Sequence, residues 1–140
     1  MATTATITLS SDTMSGFGSI TNEMILRQAG TTTDIKETTG YSRRKLASAS
    51  KVDLITMANT RVDTTATSTA AKIFIKNIGW NGVIDKTVGV KVFINSVEIG
   101  VLYGGDWLMM PAGTTADGED IEVQPANDNA VVLEYAMFFQ

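Results

Sequence analysis

The chain has 140 residues and a mass of 15.0 kDa, the size of one ordinary domain. Histidine and cysteine are both absent. That excludes Ser-His-Asp and Cys-His triads, imidazole acid–base chemistry, Cys/His zinc sites, iron–sulfur ligation and disulfides. The net charge of −4 and the pI near 4.7 argue against a general nucleic-acid or anionic-membrane binder.

The N-terminal stretch MATTATITLSSD has neither a basic n-region nor an apolar h-region, so no Sec signal is expected. No apolar run reaches the length of a membrane span. Thr6 to Leu9 reads as a strand with Ile7 and Leu9 pointing one way, and a second strand is expected near Met24 to Arg27. Ser42 to Met57 carries Leu46, Val52, Leu54, Ile55 and Met57, a pattern that fits an extended edge strand or a short helix. Threonine favours the extended form, because its branched side chain loses rotamer freedom in a helical turn. Asp63 to Ala70 is made of small residues and reads as a linker.

Beyond it, period-2 alternation dominates. Lys72 to Lys76 is a short strand. Val88, Val90, Val92 and Ile94 share one face of the next, and Val97, Ile99, Val101 and Tyr103 resume the alternation after Asn95-Ser96. The pair reads as a β-hairpin, since Asn tolerates the positive φ of a tight primed turn. Asp120 to Val123 and the terminal Val131, Leu133, Tyr135, Met137 and Phe139 supply two more strands. Asn81-Gly82, Gly104-Gly105, Pro111-Ala-Gly113, Asp117-Gly118 and Asn127-Asp-Asn129 read as turns.

The two halves differ in kind. Of 20 threonines, 17 fall within residues 1–70, while Ile, Leu, Val and Phe number 12 there and 23 in residues 71–140. Twelve in seventy is under the roughly 20% at which independent folding becomes doubtful. The expected fold is therefore all-β: a small antiparallel β-sandwich or barrel over residues 72–140, a small-residue linker over 63–71, and an extended N-terminal arm or subordinate β layer over 1–62.

Charge is segregated too. Arg43, Arg44, Lys45, Lys51 and Arg61 face Asp53 alone between residues 41 and 61, a local +4. Glu98, Asp106, Asp117, Glu119, Asp120, Glu122 and Asp128 give a local −7 further on. One reading is a head-to-tail contact between copies, basic arm to acidic loop; the other is an uneven solvated surface. The Arg43-Arg44-Lys45 run lacks the interleaved aromatics that stack bases, so no nucleic acid is expected as a partner. Asp117, Glu119, Asp120 and Glu122 do not follow the EF-hand loop pattern, and a polar turn explains them without a metal. Trp80 and Trp107 either close the ends of a small core or stack on sugar rings. No catalytic set and no cofactor motif emerges.

The order KIFIKN (72–77), LYGGDWLMMPAG (102–113), DIEVQPA (120–126) and LEYAMFF (133–139) resembles small virion structural proteins of tailed marine bacteriophages. The counterparts are Gly105-Asp106-Trp107 with Pro111, and Ile121-Glu122-Val123-Gln124-Pro125, covering about half the chain. The resemblance implies a non-enzymatic capsid decoration (cement) protein on the outer surface of the virion, made in the host cytoplasm. Its N-terminal arm would bridge neighbouring capsid subunits. The implied partners are the major capsid protein and copies of the chain itself, with a trimer suggested by analogy, and no membrane. Arg43, Arg44, Lys45, Lys51, Asp117, Glu119, Asp120 and Glu122 are the expected partner contacts. The alternatives are a tail or fibre-adaptor component, and a carbohydrate-binding module that attaches to the host through Trp80 and Trp107.

Overall fold

A computed structural model describes residues 4–9, 20–25, 37–38, 40–56, 70–113 and 120–139. Eleven strands and no helix occur among them. β1 (Thr4–Leu9) and β2 (Ile20–Ile25) pair antiparallel as a two-stranded sheet, and β3 (Glu37–Thr38) is a two-residue strand. The rest are β4 (Ser42–Leu46), β5 (Val52–Ile55), β6 (Ala70–Asn77), β7 (Val90–Ile94), β8 (Val97–Leu102), β9 (Trp107–Gly113), β10 (Ile121–Pro125) and β11 (Val131–Phe139).

One sheet runs β5-β10-β7-β8; the other runs β4-β11-β6-β9, with β3 lying on the same side of β11 as β4. All the pairings are antiparallel. Counting β4 to β11 as eight strands, the first sheet takes the second, seventh, fourth and fifth. The other takes the first, eighth, third and sixth. That is the strand order of a jelly roll, two Greek keys folded into a double sheet.

The alternation read from the sequence packs this sandwich. Val90, Val92, Ile121 and Val123 of one sheet meet Ile73, Ile75, Val131, Leu133 and Met137 of the other, all with no exposed surface. Each such side chain contributes about 1.5–3 kcal/mol when fully buried. The expectation of an all-β sandwich holds.

The sheets start earlier than composition suggests. Residues 42–46 and 52–55, assigned to the arm on average composition, form edge strands in both sheets, and Leu46, Leu54 and Ile55 enter the shared core. A seventy-residue average dilutes this local cluster. Of the expected linker over 63–71, only Ala70 and Ala71 are described, and they begin β6.

The β7–β8 hairpin turns through Asn95 and Ser96 at φ of 47° and 64°, as the Asn-Ser link predicts. A bulge then breaks the expected alternation. Val92 pairs with Gly100 but Phe93 with Glu98, so Ile99 is extra and Val97 does not share a face with Val101 and Tyr103. Pro111-Ala-Gly113 is strand, not turn. Among the described residues β9 pairs with β6 alone, and a proline is tolerated on such an edge.

Asn77, the last residue of β6, ties the two sheets together. Its amide nitrogen donates to the carbonyls of Val88 and Leu102, each at 3.1 Å, and its side-chain oxygen accepts from the Gly79 N–H at 3.0 Å. The residue is fully buried and its amide side chain is satisfied at both ends.

Candidate functional site

A strand cannot hold three consecutive cations on one face. In β4 the pleat exposes Arg43 and Lys45 and turns Arg44 to the other side. Arg43 lies opposite Glu134 in the ladder and pairs with it at 2.7 Å. Arg44 donates to the Asp53 carbonyl. The Lys45 ammonium sits 4.1 Å from the centre of the Trp80 ring, within cation–π range.

Lys51 meets Glu122 inside the same chain. Its Nζ lies 2.9 Å from Glu122 Oε1, 3.0 Å from Ser96 Oγ and 5.2 Å from the Phe93 ring centre. Glu122 also accepts from the Ser96 N–H at 2.7 Å. The Lys51 hydrogen bond, with help from Ser96, holds the Glu122 carboxyl below its ordinary pKa against the opposing effect of burial. One pair of the two oppositely charged clusters is thus satisfied within a single copy. Asp120 accepts from the Asn95 N–H through its carbonyl at 3.2 Å, while Asp117 and Glu119 lie outside the described residues. Among the described residues no group of three or more acidic side chains is arranged to hold a metal ion.

The tryptophans occupy separate places. Trp80 opens a tight turn closed by reciprocal backbone hydrogen bonds with Val83, both 2.9 Å, through Asn81 and Gly82 at positive φ. It lines an open groove of about 550 Å³ next to Val88 and Val131 at one end of the sandwich. Trp107 stands on the outer face of β9 and remains 45% exposed.

That outer face holds the most distinctive surface of the molecule. Lys72, Phe74 and Lys76 alternate outward on β6 while Ile73 and Ile75 enter the core. Phe74 is flanked by Tyr41, edge-on at 5.9 Å, and by Trp107, tilted 33° at 6.3 Å. β1 lies alongside, and the space between is a groove of about 460 Å³ lined by Ile7, Tyr41, Phe74, Lys76, Trp107 and Met109 among others. Such a surface can stack a flat or ring-shaped ligand on aromatic faces and offer it one positive charge. Sequence reasoning found Trp107 but missed Tyr41, Phe74 and Lys76. The available signal was Phe74 itself, an aromatic on the non-core face of the alternating Lys72–Lys76 run.

No protein-family model matches the chain, and no curated protein matches it in sequence.

Proposed function

We propose that the chain is a non-enzymatic structural protein of a phage virion, a capsid decoration protein on the outer surface of the shell. The jelly-roll strand order is the observation that carries this reading. Viral capsid domains use the same double sheet, an analogy of fold and not of site. The partners are the major capsid protein and further copies of the chain.

The arm that bridges capsid subunits is shorter on this reading than residues 1–62. β4 and β5 are built into the sandwich, so bridging falls to the part preceding residue 40, which contains the β1–β2 hairpin. None of its described residues belongs to the core cluster of the sandwich. A two-stranded hairpin is marginal in water and gains stability by lying on a larger surface.

Deleting residues 1–36 tests this directly. The truncated chain is expected to keep the cooperative unfolding transition of the sandwich and to lose binding to capsids lacking the protein, measured by co-sedimentation. Undiminished binding would overturn the arm's role.

A further inference from the structure

We propose that the groove between β1 and the outer face of β6 and β9 binds an acidic saccharide, a pyranose carrying a carboxylate. The argument is independent of any role on a virion. A volume of about 460 Å³ suits a small ligand rather than a protein segment. The floor is aromatic yet open: Tyr41 and Trp107 stay 73% and 45% exposed although both rings are braced against Phe74. Rings held in place with free surface lose little entropy when a ligand stacks on them. A pyranose matches such a floor, since its C–H face is apolar and its rim of hydroxyls stays in water. Thr4 and Thr6 of β1 also belong to the lining.

Lys76 selects the charge. Its ladder partner across the sheet is Glu134, and Glu134 is already engaged by Arg43 at 2.7 Å. Among the described residues no carboxylate lies within salt-bridge distance of the Lys76 ammonium. Lys72 adds a second cation on the same outward row. A neutral sugar would leave this charge unanswered, and a carboxylate at the ring edge would pair with it.

The test is titration of the full chain with a tetrasaccharide of glucuronic acid, followed by calorimetry. A neutral glucose tetrasaccharide and a thymidine oligonucleotide serve as comparison ligands. Saturable uronate binding is expected, with at least tenfold weaker binding of the neutral sugar. Lys76→Met should weaken uronate binding about tenfold, Trp107→Ala should abolish it, and Trp80→Phe should leave it unchanged. Circular dichroism and urea unfolding of each variant separate lost binding from lost fold. Equal affinity for the neutral sugar would overturn the assignment to Lys76. Absence of uronate binding, its survival in Trp107→Ala, or tighter binding of the oligonucleotide would overturn the site.

Discussion

Asn77 shows how one polar side chain holds two sheets in register. It answers two carbonyls from one sheet's side of the core and one N–H from its own turn. Asn77→Ala leaves all three buried groups without that partner, and each orphaned group costs about 1–3 kcal/mol. The summed loss is expected to reach about 3 kcal/mol or more, read as a lower urea midpoint. A change under about 1 kcal/mol would show that water replaces the amide. Glu122 acts at the same scale through charge. Its folded pKa is lowered, so it contributes stability above the unfolded carboxylate value, and the contribution fades as pH falls through the folded one. Glu122→Gln is expected to cost up to about 1 kcal/mol near pH 7 and almost nothing once the pH lies below the folded carboxyl value. Asp85, whose pKa the Thr87 hydroxyl and N–H also lower, retains its own acid dependence in that variant. Equal losses at both pH values would assign the effect to packing instead of charge. None of this was legible in the sequence, where Asn77 is one asparagine after a strand and Glu122 one acid in a cluster of seven. Their roles depend on β6 meeting β7 and β8, and on Lys51 arriving from seventy residues away.

At the scale of elements, legibility followed the alternation. β7, β10 and β11 are written as period-2 patterns because one face of each is turned to the core, and the Asn-Ser turn is written in the residue that tolerates positive φ. β5 is four residues long at a sheet edge, too short to alternate visibly. The bulge at Ile99 is invisible because one added residue changes register without changing composition. If β5 belongs to the sandwich, Leu54→Ala should destabilise as a core truncation does, by about 2–5 kcal/mol in denaturant unfolding. A loss under about 0.5 kcal/mol would detach residues 52–55 from the core. Gly79 fixes the turn beyond Asn77 just as firmly. At φ 77°, a Cβ there would sit 2.0 Å from the Val83 carbonyl oxygen, so only glycine fits.

For the whole molecule, the strand order makes a sandwich with its own core and an additional hairpin beside it, and places Tyr41, Phe74, Lys76 and Trp107 on one outer face. The sequence conveyed a β-rich module and an apolar-poor N-terminal part, but not which strands cross between sheets. Strand order depends on contacts between distant segments, and no local pattern records it. A sandwich carrying its own core and an outlying hairpin suits a protein that attaches to a preformed shell through an arm. Antibody–gold labelling of intact phage particles, viewed by electron microscopy, tests the proposed decoration role most directly. Decoration predicts label distributed over the whole head; label confined to the tail or neck, or none on intact particles, would contradict it.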